Sequence, residues 1–181
     1  LEEQHSRVEN RGQRGVSPQF IPKMIANIAG SQIAIKYGFH GPNYAVTSAC
    51  SSATDAIGMA YQLIQSGQTD IIISGGCEAG ITPLTLSGFA NMKALSTQND
   101  NPTEASKPFD KNRDGFILSE GAGILVLESL EHAEKRNATI LGEIVGYGCT
   151  NDAYHVTQPD NDSKSATKAI NLALENSNLN P

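Results

Sequence analysis

The chain has 181 residues, 39% hydrophobic, 18% charged and 6% aromatic, which is long enough for one domain with a core and ordinary for a globular protein. A formal charge of −6 argues against a nucleic-acid binder, whose phosphate contacts demand a basic surplus, and no apolar run approaches the roughly 20 residues of a membrane span. Three widely spaced cysteines form neither a disulfide framework nor a zinc pattern, so a reducing compartment is expected.

In chain order, the first fifteen residues are polar, carry Arg7, Arg11 and Arg14, and read as an irregular arm without the character of a secretion signal. Apolar residues at helical spacing predict a helix from Pro22 to Tyr37, stopped by Gly38. A short strand is expected over 43–48. The next helix, about Ser51 to Ser66, is rich in Ala and Gly and ends at Gly67, a composition that lets other backbone approach closely. Asp70–Ser74 reads as a strand covered on both faces. Residues 81–110 read as mostly irregular, with a short helix near Leu86–Met92. Strands follow at 116–118 and 122–127, then a helix capped by Ser129, a long strand over 140–149 and a final helix over 163–176. The alternation predicts an α/β domain around a largely buried mixed sheet.

The sharpest local feature is Thr47-Ser-Ala-Cys50-Ser-Ser, where a predicted strand turns directly into a small-residue helix. A cysteine there faces the positive end of the helix dipole and free backbone N–H groups. Both favour thiolate, the nucleophilic form, and the N–H groups can receive the oxyanion of a tetrahedral intermediate. That combination suits acyl transfer through a thioester. A small free cysteine also suits a buried core, and the position alone leaves both readings open. Cys77 and Cys149 lack this setting and read as core residues.

Other motifs fall away on inspection. Asp110-Lys-Asn-Arg-Asp114-Gly115 imitates a calcium loop, but Gly121 stands where the bidentate glutamate belongs and a strand follows instead of a helix. It reads instead as a polar turn stitched by Asp–Arg and Asp–Lys pairs. The glycines at 75–76 and 121–123 match no nucleotide-binding fingerprint. His155 follows a predicted strand and could line a site, although a histidine in such a loop is more often structural.

Taken together, several blocks resemble the β-ketoacyl-acyl-carrier-protein synthases, in particular the type II elongating condensing enzymes of fatty-acid synthesis. They are Ser17-Pro-Gln-Phe20-Ile-Pro22, Gly41-Pro with Thr47-Ser-Ala-Cys50-Ser-Ser, Ile73-Ser-Gly-Gly-Cys-Glu78 and Ala94-Leu-Ser-Thr. The long run from Ser106 to Gly123 and Asp152-Ala-Tyr-His-Val-Thr157 complete the set. The resemblance implies an incomplete thiolase-like fold in α-β-α-β-α layers, with residues 1–137 from the N-terminal half and 138–181 opening the C-terminal half. It implies a homodimer that accepts an acyl group from acyl carrier protein and condenses it with malonyl-carrier protein, without a cofactor or metal.

By motif position, the resemblance makes Cys50 the acyl-accepting nucleophile. Phe20 and Phe89 would line the acyl pocket, Thr157 would flank the pantetheine channel, and Arg14 and Lys93 would meet the acidic carrier protein. The family's two histidine motifs do not occur in this sequence. The chain is therefore expected to be an internal piece, unable to condense by itself and left with unpaired strand edges and exposed apolar patches. A polyketide-synthase ketosynthase and a non-catalytic chain-length-factor-like partner are the alternatives; the retained Cys50 disfavours the latter. The bacterial cytoplasm and the plastid or mitochondrial matrix all fit, and secretion does not.

Overall fold

Polar i,i+4 pairing, not hydrophobic periodicity, marks the first element. A computed structural model describes residues 1–177 and 179, and the segment expected to be an irregular arm is an α-helix, α1 (Glu2–Arg11), followed by a 3₁₀ turn at Gln13–Gly15. The reason lies in the i,i+4 pairs on its exposed surface, Glu3–Arg7 at 2.6 Å and His5–Glu9 at 3.5 Å, with Glu2 and Glu3 in the first turn favouring the dipole. Glu2 also reaches far along the sequence. Its carboxylate accepts from the Thr82 hydroxyl and from the Leu84 N–H at 3.1 Å, so it helps cap the helix that starts at Pro83.

The helix expected over 22–37 is two helices, α2 (Phe20–Met24) and α3 (Ile28–Tyr37). Ile25 turns extended at ψ 129°, and Asn27 serves as the next N-cap, a position asparagine prefers to a helix interior. Gly38 ends α3 in the left-handed conformation (φ 70°), as its position predicted. Helix α4 (Ser52–Gln65) is preceded by a 3₁₀ turn at Ala49–Ser51 and stopped at Gly67, φ 72°. Next come β1 (Ile71–Glu78), α5 (Pro83–Asn91), β2 (Gly121–Glu128), α6 (Leu130–Lys135) and α7 (Lys164–Ser177).

The chain divides into two units. One comprises Leu1–Ala45 with Cys77–Gly121; the other comprises Val46–Gly76 and the chain from Ala122 on. β1 and β2 form a two-stranded sheet. Ser129 N–H donates to Asp70 carbonyl at 2.9 Å, while Gly75 lies against Gly123 and Ile124. One strand advances as the other retreats, so the pair is antiparallel.

Four expectations about the sheet require correction. Residues 43–48 and 140–149 are not strands, and 116–118 contributes only an isolated parallel bridge between Leu95 and Phe116. A strand exists by its ladder, and among the described residues these segments have no neighbour to supply one. Nor is the sheet buried on both faces: Ile71 is exposed, as are Ile124, Leu125 and Val126 of β2. Among the described residues the buried apolar side chains are Ala60, Ala105 and Ala133. Unpaired edges and exposed apolar patches are thus present, as expected. Cys77 and Cys149, expected in the core, are exposed for the same reason.

Segment 140–149 nevertheless keeps the alternation of a strand. Tyr147 faces α4, with its ring against Gly58, and the Tyr61 hydroxyl reaches the Val145 carbonyl at 3.3 Å. Gly146 and Gly148 turn the other way, onto the Ala173 and Ala169 carbonyls of α7. A Cβ at either glycine would come within 2.1 Å of a carbonyl oxygen, so side-chain-free positions are what let the segment thread between two helices.

The loop resembling a calcium site is closed by other means. Asp114 accepts from the Ser96 hydroxyl (2.7 Å), Thr97 N–H (3.0 Å) and Gln98 side chain (3.0 Å), which hold its carboxyl below the usual range, the Ser96 bond first. The expected Asp–Arg and Asp–Lys ion pairs are not formed. Instead Asp110 accepts from Asn112 N–H at 2.6 Å, and Arg113 donates to the Asp110 carbonyl at 2.8 Å. The turn's backbone takes both partners, an N–H on the Asp110 carboxylate and a carbonyl on the Arg113 guanidinium.

Glu128, where β2 meets α6, is the most strongly perturbed carboxylate outside the site. Arg136 grips it through two bonds of 2.7 and 2.6 Å, and His132 Nδ1 bonds to the same group. Arg136 first, then His132, pull its pKa down to about 2. A depressed carboxylate stabilises the fold above its unfolded value of roughly 4.3 and loses that contribution as pH falls through about 2. Glu128→Gln should therefore flatten the acid limb of stability between those pH values. Urea midpoints measured across that window would check it.

Candidate active site

The segment into α4 turns sharply at the predicted nucleophile. Ser48 sits at φ −140°, ψ 41°, and Ala49 is left-handed at φ 54°, a conformation that a residue with a Cβ rarely takes. Cys50 follows in the 3₁₀ turn, exposed, with α4 beginning two residues later. Among the described residues its backbone N–H donates to no acceptor. The turn thus offers a free thiol beside a free N–H.

Around it lies a hydrogen-bonded set that the sequence reading did not identify. Ser48 N–H donates to the Ser52 hydroxyl (2.9 Å), which donates on to the Ala49 carbonyl (2.7 Å). The Ser48 hydroxyl bonds one oxygen of Asp55, and the Tyr147 hydroxyl bonds the other at 2.6 Å. The Asp55 carboxyl is held below the usual range, chiefly by Ser48 and then Tyr147, with the Cys149 thiol adding to the same effect. Burial first, and then the Asp55 bond, push the Tyr147 hydroxyl above the usual tyrosine range. Ser52, four residues after Ser48, was a readable signal for a local side-chain bond to the backbone. Tyr147, distant in sequence, carried none.

The other predicted residues are distributed over both units. Thr157, with Cys50 in the second, is exposed, and its N–H donates to His155 Nδ1 at 3.2 Å. His155 also accepts from Gln158 N–H at 3.1 Å, which makes it a turn-closing residue, as read. No hydrogen bond links Thr157 to Cys50 among the described residues.

Phe20, Phe89, Arg14 and Lys93 lie in the first unit. Phe20 is half-buried in a groove of about 300 Å³ lined also by Arg7 and Lys23, and Arg14 is exposed on its 3₁₀ turn. Phe89 and Lys93 are joined by the end of α5. Ala94 N–H donates to the Phe89 carbonyl (3.1 Å) and Lys93 N–H to the Ala90 carbonyl (2.9 Å), a motif that forces Lys93 to φ 55° where glycine is preferred. Among the described residues no three His, Cys, Asp or Glu side chains gather as a metal would require, and no helix is long and apolar enough to cross a membrane.

This is a mixed α/β protein with a cysteine on a strained turn ahead of a small-residue helix. Residues 2–133 match the family described as "Beta-ketoacyl synthase, N-terminal domain". The chain belongs to the β-ketoacyl synthase family. A 3-oxoacyl-[acyl-carrier-protein] synthase 2 from Synechocystis sp. is 50% identical over 181 residues, 100% of this chain and 44% of that relative. The mitochondrial 3-oxoacyl-[acyl-carrier-protein] synthase of Arabidopsis thaliana is 47% identical over 169 residues, 93% of this chain and 37% of its own. A type II polyketide ketosynthase, solved in complex with its acyl-carrier protein and bound to the hexaketide, superposes with a TM-score of 0.94 at 33% identity. That match covers 99% of this chain and 46% of the ketosynthase. The fold is that of a ketosynthase N-terminal half, partial relative to the full chains. The chain spans less than half the length of these relatives.

Proposed function

We propose that the chain carries the acyl-accepting site of a 3-oxoacyl-[acyl-carrier-protein] synthase of the type 2 elongating class. Cys50 takes an acyl group from the phosphopantetheine thioester of acyl carrier protein. In the complete enzyme, malonyl-carrier protein loses carbon dioxide and its carbanion attacks that acyl thioester. The observation that carries the reading is the exposed Cys50 on its left-handed turn with a free N–H beside it. The 50% identity to a type 2 synthase, against 33% to the polyketide ketosynthase, favours fatty-acid elongation over polyketide assembly.

The remaining assignments follow. Phe20 and Phe89 line the acyl pocket, Thr157 flanks the pantetheine arm, and Arg14 and Lys93 contact the acidic carrier protein by charge complementarity. A homodimer, a boundary between the two halves near residue 137, and a reducing compartment (bacterial cytoplasm, plastid or mitochondrial matrix) belong to the same reading. Exposed β2 residues such as Val126 are the faces that the rest of the enzyme covers. No histidine in this chain serves the carbanion step, so the chain by itself accepts an acyl group and does not condense it.

The test is to incubate the chain with acyl carrier protein whose phosphopantetheine thiol carries an acyl thioester, and to map the acyl mass by peptide. One acyl group on the Cys50 peptide supports the reading; no acylation, or acylation at Cys77 or Cys149 instead, overturns it. Lys93→Gly separates two roles. Relieving the left-handed strain should stabilise the fold by about 1 kcal/mol in urea, while removing the cation weakens carrier-protein binding by titration. Unchanged binding would remove Lys93 from the interface.

A further inference from the structure

We propose that Asp55 is a positioning residue for Cys50, holding the nucleophile's turn through Ser48 and fixing that turn to segment 140–149 through Tyr147. The inference rests on the reading of Cys50 as a nucleophile. It starts from the left-handed Ala49, which relaxes unless something brackets it. Two brackets are present. Ser52 ties the Ser48 N–H to the Ala49 carbonyl across the turn, and Asp55, at the first turn of α4, takes the Ser48 hydroxyl.

A single carboxylate with each oxygen committed to a different hydroxyl is a two-way clamp. Its second arm leads to Tyr147, whose ring is seated against Gly58 and whose carbonyl accepts from Asn176 of α7 at 2.8 Å. The orientation of the Cys50 turn is thereby set by a segment more than ninety residues further along the chain. Asp55 touches no reacting atom; it acts through Ser48. Releasing the clamp lets Ala49 leave the left-handed region, carrying the thiol out of the exposed position that the turn gives it.

The experiment measures iodoacetamide alkylation of Cys50 relative to Cys77 by peptide mass spectrometry on the full chain. Cys77 lies outside the clamp and serves as an internal reference. Asp55→Ala is expected to lower the Cys50 to Cys77 ratio about tenfold, with Asp55→Asn restoring most of it because the amide still bonds Ser48. Ser48→Ala removes the other end of the same bond and should reproduce the loss, and the double variant should lose no more than either single. Should Asp55→Ala fail to fold, Ser48→Ala decides. An unchanged ratio in Ser48→Ala, or an Asp55→Asn as defective as Asp55→Ala, overturns the proposal. Acyl transfer is followed separately, so its absence in the unaltered chain overturns the reading of function while the alkylation ratio still decides Asp55.

Discussion

Cys50→Ala is expected to abolish covalent acyl capture while leaving the fold intact. Removing a nucleophile that no neighbour can replace typically lowers turnover by about 10⁴-fold or more. The structural side of the expectation is equally specific. The bonds that shape the turn run through Ser48, Ala49, Ser52 and Asp55, and the Cys50 side chain takes part in none of them. Alanine therefore removes the sulfur without disturbing the backbone that presents it, and the unfolding midpoint in urea should move by little. Acyl mass measured on the intact protein checks the first half. Persistent acylation would assign the chemistry to Cys77 or Cys149, both exposed and both available to react. A collapsed fold would instead make Cys50 structural.

Much of what positions Cys50 was legible because it is local. The small-residue helix, its glycine stop at Gly67 and the turn into it are all written within about twenty consecutive residues, and α4 follows them closely. The misses have physical reasons. Helix α1 has no apolar stripe, and only its polar i,i+4 pairs could have revealed it. Strand periodicity over 140–149 is real, yet alternation records only which side chains face which way. Whether a ladder forms depends on a neighbouring strand, and here the segment lies between α4 and α7 instead. Asp55 escaped notice because its meaning comes from Tyr147, ninety-two residues away. A charged residue near a helix start reads as an ordinary dipole partner until its distant partner is known.

The same contact gives the second large effect, at Gly58. This residue is buried on α4, and a Cβ there would stand 2.3 Å from two ring atoms of Tyr147 and 2.5 Å from a third. The third of these atoms is Cγ, which lies on the ring's own axis, so turning the ring does not relieve that contact. Gly58→Ala should therefore drive Tyr147 away and lower stability by about 2 kcal/mol, even though alanine is the better helix former by roughly 1 kcal/mol. Displacing the ring also withdraws its hydroxyl from Asp55, so Cys50 alkylation should slow in the same variant. The two contributions can be separated by sign. In a Tyr147→Ala background the clash is gone, and Gly58→Ala should then stabilise α4 by its helix propensity alone. Urea unfolding of the four proteins in that cycle reads both numbers. If Gly58→Ala destabilises equally with and without the Tyr147 ring, the tyrosine is not what α4 makes room for, and the link from segment 140–149 to the Cys50 turn fails with it.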